Sequence, residues 1–301
     1  MRVMKLTMAL FTVLMGSGVF AQQLPYFSQF ALMPSFYNPA AAGLSGRNFA
    51  GATYRSMWES FPGNPRTTLV YGDAEIKKLN AGISAYLFKD QTGALSDNGL
   101  QISYSYHIHS KNNKNHLGLG LEVRGLQRAA DMSRINEALG SSDPVNGIKS
   151  NFAFDAGAGV YWTNGKMSAG AAVTNLIGSK LNKISDPTVA KVSKLYKQYN
   201  TTFSYRIQTG DDIFIVPNAL IRFYENAPTE FDLGGRFDYK DKMWWGMNMR
   251  VNQFWSLQAG LKIKNKVRLT YAYDFYLSPA SVFEKNSGAN EIGLQYDFGK
   301  K

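Results

Sequence analysis

From residue 47 onward the chain alternates with period two, in some fourteen segments of about ten residues, and that pattern constrains the fold more than any other feature. Leu117, Leu119, Leu121 and Val123 interleave with Gly118, Gly120, Glu122 and Arg124. Successive strand side chains point to opposite faces, so one set faces out and the other in. The pattern recurs at Phe231, Leu233, Phe237 and Tyr239, at Val267 to Phe275, and at Ile292 to Phe298. A soluble sandwich also alternates, but ten residues is the length a tilted strand needs to cross a bilayer, and aromatics gather near the segment ends as interfacial girdles do. The expectation is an all-β fold: a transmembrane antiparallel up-and-down β-barrel of about 14 strands in the cell outer membrane, with outer-membrane lipid around it and its termini in the periplasm.

The segments are expected to begin near Asn48, Arg66, Asn80, Asn98, His116, Asn151, Lys166, Asn200, Asp212, Glu230, Lys242, Phe254, Lys266 and Asn290. Connections at 77–78, 164–165, 209–211, 240–241 and 264–265 are short, with Asn164-Gly165 suited to a type I′ hairpin. Those at 59–65, 89–97, 128–150, 176–198 and 277–289 are long, and only Asn252-Gln253 is short on that side. Short turns belong to the periplasmic side and long loops outside. Within the loops, 131–139 and 188–199 are candidate short helices. Pro217 removes a ladder donor from its strand, and a bulge is expected there.

Residues 1–21 read as an export signal, with Arg2 and Lys5, an apolar run from Leu6 to Leu14, and a Val19-Phe20-Ala21 cleavage site. Residues 22–46 then form an N-terminal segment of their own, and 47–301 the barrel. The absence of Cys excludes a lipoprotein anchor, disulfides and thiolate chemistry. Without Arg2 and Lys5 the chain has 31 basic residues against 22 acidic ones, dispersed rather than striped, which argues against nucleic acid as a partner. Lys180, Lys183, Lys191, Lys194 and Lys197 crowd one outer loop with Asp186 as the only acid, either a solvated loop or a surface for an acidic partner or surface polysaccharide.

No enzyme constellation emerges. His107, His109 and His116 are the only histidines, no nearby carboxylate completes a metal set, and nucleophile elbow, HExxH pair and phosphate loop are missing. No metal site and no cofactor are expected, and the Gly118-Leu119-Gly120 run reads as barrel packing. The inward faces carry Arg55, Glu122, Arg124, Asp155, Asp232, Arg236, Asp238, Arg250, Lys262, Arg268, Asp274 and Asp297. Mixed signs favour a salt-bridged, plugged interior; a general porin or small-solute channel is the alternative, separable by conductance.

The run Ser28-Gln29-Phe30 leading to Tyr37-Asn38-Pro39-Ala40 and Gly43, then Tyr54-Arg55-Ser56-Met57-Trp58 and Pro65-Arg66-Thr67, resembles the opening of the PorP/SprF family, with Met57 where that family has a polar residue. Further similar elements follow in order: Asp155-Ala156-Gly157, Phe231-Asp232-Leu233, Tyr271-Ala272-Tyr273-Asp274-Phe275 and Tyr296-Asp297-Phe298. The resemblance implies a non-enzymatic outer-membrane component of the type IX secretion and gliding apparatus. It would support export or surface attachment of proteins bearing a C-terminal secretion domain, with the secretion machinery and the secreted surface proteins as partners. It also implies partner-binding candidates at Ser28, Gln29, Phe30, Tyr37, Asn38, Pro39, Tyr54, Arg55, Trp58, Pro65 and Arg66. The segment 22–46 lacks alternation yet holds Leu24, Tyr26, Phe27, Phe30, Leu32, Phe36 and Tyr37, so it must bury them, either as a plug in the lumen or on a periplasmic partner.

Overall fold

A computed structural model describes residues 25–112, 114–140, 148–180, 194–225, 227–278 and 288–298. The export signal at 1–21, Leu24, and the loop residues Lys183, Asp186-Pro187 and Lys191 lie outside the described residues.

One antiparallel sheet holds fifteen strands among the described residues. They are β1 (Phe49–Met57), β2 (Arg66–Ile76), β3 (Ala81–Thr92), β4 (Leu95–His109), β5 (His116–Asp131), β6 (Ile148–Thr163), β7 (Met167–Thr174), β8 (Gln198–Tyr205), β9 (Ile207–Gly210), β10 (Ile213–Tyr224), β11 (Ala227–Tyr239), β12 (Met243–Arg250), β13 (Phe254–Ile263), β14 (Val267–Tyr276) and β15 (Ala289–Asp297). Strands β8 and β9 both pair with β10 and form one interrupted stave, which makes fourteen. β1 pairs with β15 and β10 with β11, so the sheet closes on itself and leaves no free edge. Every expected segment start lies within three residues of an observed strand start.

The burial pattern is inside out relative to a soluble protein. Leu121 is 66% exposed while the neighbouring Glu122 is 2% exposed. Val70, Ile83, Leu100, Ile102, Leu257 and Leu294 likewise face outward. Only a lipid solvent accommodates such a continuous apolar exterior, and the closed ladder satisfies the backbone without water. No described helix is long and apolar enough to cross a membrane.

Four local expectations are corrected. The 89–97 connection is not a long loop: β3 and β4 are continuously paired to Thr92 and Leu95, leaving Gly93-Ala94, with Gly93 at φ +57° supplying the tight turn. The end of the barrel with the long loops is thus shorter at this hairpin, and also between Tyr224 and Ala227. At Asn164-Gly165 only the glycine has positive φ, whereas Lys240-Asp241 and Lys264-Asn265 have both residues left-handed, so the type I′ geometry belongs to those two turns. Asn164 instead accepts from the backbone N–H groups of Lys166 and Met167 at 3.0 and 2.7 Å. The helix at 131–139 forms over Met132–Leu139 with Asp131 capping the Arg134 N–H, but the described part of 188–199 is extended, with Lys194 bridged to Lys180 and β8 starting at Gln198.

Pro217 is accommodated without a bulge of its own. It pairs in register with Gly235, and the register shift on that side falls between Arg222 and Tyr224. On the other side β8 stops at Tyr205 and β9 resumes at Ile207, with Ile215 opposite Ile207 and Asn218 opposite Ser204 in one unbroken register. The missing proline N–H therefore removes a ladder contact and splits the stave without shifting it at that point; the β9 register shifts further on, between Ile213 and Phe214.

Candidate functional site

The interior is occupied by residues 25–46, which run the height of the barrel. Tyr26 meets Tyr276 and Met57 at the end carrying the long loops, and Gly43 meets Asp73 near the short turns. Three short helical turns, Phe30–Leu32, Pro34–Tyr37 and Pro39–Ala41, fold the segment compactly, the last two opened by prolines whose lost N–H is unneeded there. Phe27, Phe30, Phe36 and Tyr37 pack with Tyr71, Tyr86 and Phe88 of β2 and β3. Burial of each large side chain contributes roughly 1.5 to 3 kcal/mol.

A buried charge cluster locks the upper half. Arg55 of β1 pairs with Asp274 of β14 at 2.5 Å and Glu291 of β15 at 3.1 Å, all three shielded from solvent. Ser28 joins both strands: its hydroxyl donates to Asp274 at 2.7 Å, and its N–H donates to Glu291 at 2.8 Å. The Gln29 N–H takes the second Glu291 oxygen at 3.2 Å, while Asn248 and Gln258 donate to the Ser28 carbonyl at 3.0 and 2.8 Å. Tyr26 lies between the guanidinium groups of Arg55 and Arg250, at 4.6 and 4.0 Å from its ring centre. A buried ion pair gains little net stability, but here Ser28 and Gln29 supply the carboxylate hydrogen bonds that Arg55 leaves unmade, so the cluster specifies one docked position.

A glycine seat holds the lower half. Inward glycines of β3 to β7, Gly82, Gly118, Gly120, Gly159 and Gly170, leave room for the backbone of residues 38–43, and a Cβ on Gly82, Gly118 or Gly120 would overlap Ala42 or Ala40. Asn38 caps the Pro39–Ala41 turn by accepting from the Ala40 N–H and donates to the Val160 carbonyl at 2.9 Å. Gly43 has φ +73°, and its N–H donates to Asp73, which also accepts from Ser35. A side chain at Gly43 would meet the Gly82 backbone, so both its left-handed backbone and its closeness demand glycine.

The remaining lumen charges form further groups. Asp232 accepts from Arg250 at 2.7 Å and Arg222 at 2.8 Å; Arg124 pairs with Glu122 at 2.9 Å and donates to Gln101. Asp155 caps the loop after β7 by accepting from Ile177 and Ser179 N–H groups. Near the short turns, Arg236 and Arg206 share Asp238, and Arg47 and Lys262 share Asp297. Arg268 has no hydrogen-bond or ion-pair partner among the described residues.

A family model described as "Type IX secretion system membrane protein PorP/SprF" matches residues 19–296. The chain belongs to the PorP/SprF family. Among solved structures the PorP/SprF barrel is similar to the Ralstonia pickettii toluene transporter TbuX, with 12% identity, a TM-score of 0.51, and coverage of 88% of this chain and 93% of that one. It is also similar to the TodX deltaS2S3 mutant monoaromatic hydrocarbon channel, with 10% identity, a TM-score of 0.50, and coverage of 87% and 93%. These likenesses show an outer-membrane barrel fold alone. No curated protein matches the chain.

The PorP/SprF sequence elements now have places. Ser28, Gln29, Phe30, Tyr37, Asn38, Pro39 and Arg55 are buried together in the lumen, where they bind one another and the barrel wall. Tyr54 points to the lipid face, and Trp58, half-buried Pro65 and exposed Arg66 lie at the rim with the long loops. Trp58 packs on Tyr276 there, and Met57 receives the Tyr26 hydroxyl on its sulfur. Sequence reasoning missed Glu291, Asp73, Asn248 and Gln258 as anchors of the segment. It also took Gly118 and Gly120 for generic packing, although their paired inward placement is a legible sign of a close backbone approach. His109 and His116 face each other across the β4–β5 hairpin, and no group of metal ligands occurs among the described residues.

Proposed function

We propose that this protein is a closed, non-catalytic scaffold of the type IX secretion apparatus, supporting export or surface attachment of proteins with a C-terminal secretion domain through protein contacts. Its partners on this reading are the secretion machinery and those secreted proteins. The short turns face the periplasm and the long loops the exterior. The rim residues Trp58, Pro65 and Arg66 offer partner contact outside, while Ser28 to Pro39 act as an internal seal. The three-part division into export signal, residues 22–46 and barrel belongs to the same proposal.

One observation carries the reading: the residues that most resemble the family are spent on fastening residues 25–46 inside the barrel, through Ser28, Arg55, Asp274 and Glu291. An open diffusion pore gains nothing from a seal bound at both ends. The test is deletion of residues 28–39 in the native host, read by surface-protein export and by planar-bilayer conductance. Low conductance in the parent, a rise in the deletion variant and loss of export support a sealed scaffold. Large stable channels in the parent would make it a general porin instead, and a deletion variant that conducts like the parent and still exports would sink the scaffold.

A further inference from the structure

The lumen is filled unevenly. Residues 38–43 lean on the glycine seat of β3 to β7, and below them a cavity of about 510 Å³ opens at the mouth with the short turns, its floor formed by the N-terminal segment and its basic residues coming mainly from Arg47, Arg206 and β11 to β14. Its size is that of an ordinary ligand site, where pockets run from roughly 300 to 1,000 Å³. Its charge is one-sided: six lining residues are basic and three are acidic. Of those acids, Asp73 is already engaged by Ser35 and Gly43. Asp238 and Asp241 are taken by Arg206 and Arg236, and the single carboxylate of Asp297, beside the wall, is shared by Arg47 and Lys262. Arg268, acted on by Arg47, Arg236 and Asp297, has no partner of its own among the described residues, and Lys242 at the lip has none either.

A guanidinium without a carboxylate presents a fixed fork of donors shaped for a planar anion. The wall is not purely ionic, however. Leu32, Leu44, Phe49 and Trp244 supply apolar surface beside the cations. A bare inorganic anion has no use for that surface, whereas a peptide carrying both carboxylates and an apolar side chain does. We propose that this vestibule is a binding site for an acidic peptide segment presented at the mouth with the short turns, with Arg268, Lys262 and Lys242 as its anion contacts. The site requires only this geometry and stands apart from the secretion role, which is read by export rather than by binding.

The experiment uses the full chain in phosphatidylcholine nanodiscs and an amidated peptide of three glutamates and one phenylalanine bearing a neutral dye, read by fluorescence anisotropy. Binding that weakens about tenfold or more in Arg268→Gln with Lys262→Gln, weakens with added salt, and vanishes for the lysine analogue of the peptide is the expected result. Folding of each variant is checked by its heat-modifiable mobility. Lys242→Gln, at the exposed lip, is the second variant and should weaken binding several-fold on a fully folded barrel. The proposal is overturned by absence of peptide binding, by unchanged affinity in Lys242→Gln or the double variant, or by inorganic phosphate displacing the peptide at the peptide's own concentration.

Discussion

Arg55 on β1 and Asp274 on β14 meet at 2.5 Å inside the barrel, two strands apart across β15, and the Ser28 hydroxyl of the N-terminal segment bonds to both. The wall and the seal therefore share one set of hydrogen bonds. Removing either side leaves the other with buried charge.

Replacing Arg55 by Ala strands Asp274 and Glu291 without their cation. Breaking a buried pair on one side costs about 3 to 5 kcal/mol. The closed ladder remains, so the expected outcome is a barrel that still shows heat-modifiable mobility, at a lowered conversion temperature, with higher conductance and a protease-sensitive segment near Ser28. Parent-like conductance and protection in a folded variant would show that the charges do not hold the seal.

Gly120→Leu tests the glycine seat separately. Its side chain would enter the space of Pro39 and Ala40 without touching the outer face. The β-sheet circular-dichroism spectrum should stay as in the parent while residues 25–46 become cleavable in detergent. Gly235, on the outward face of β11, where an added Cβ meets nothing closer than 3.6 Å, is the outward-facing control, and Gly235→Ala should leave the segment protected.

Leu121→Arg places a charge on the outer face near mid-strand. For an arginine at the bilayer midplane of a barrel the cost is roughly 2 to 4 kcal/mol. Reduced folding yield into vesicles, measured as the fraction of heat-modifiable protein, is the expected result. An unchanged yield would place Leu121 outside the hydrocarbon layer.

The chain has no Cys, so single cysteines report orientation on a clean background. With the short turns in the periplasm, Glu137→Cys in the long connection after β5 should react with a membrane-impermeant maleimide on intact cells, and Lys78→Cys only after the outer membrane is permeabilised. The reverse pattern would invert the topology.

Strand existence, count and facing were legible because a barrel in lipid writes its geometry into every second residue. Leu119, Leu121 and Val123 alternate with Gly120, Glu122 and Arg124 in one of many segments of bilayer-spanning length, which a soluble sandwich does not require. Turn details were less legible. Whether Asn164-Gly165 or Lys240-Asp241 takes the left-handed pair depends on strand twist and pairing, and Pro217 could be absorbed by a bulge or by a broken stave. Local composition favours neither outcome.

Period, segment length and ordered motifs are one-dimensional properties that survive without contacts, and they were enough to specify a closed outer-membrane barrel and a family. The composition of residues 22–46 likewise required a burial site, since their aromatics cannot be left in water at roughly 1.5 to 3 kcal/mol each. The place of that site follows from contacts between distant strands. Ser28 meets Glu291 across 263 positions and Asn38 meets Val160 across 122, and such pairings exist only once closure of the sheet brings distant strands around a common interior. The same closure decides which lumen cations are spent: Arg55 and Arg250 find carboxylates, while Arg268, on a strand with the same alternating pattern, faces the cavity that the segment leaves open.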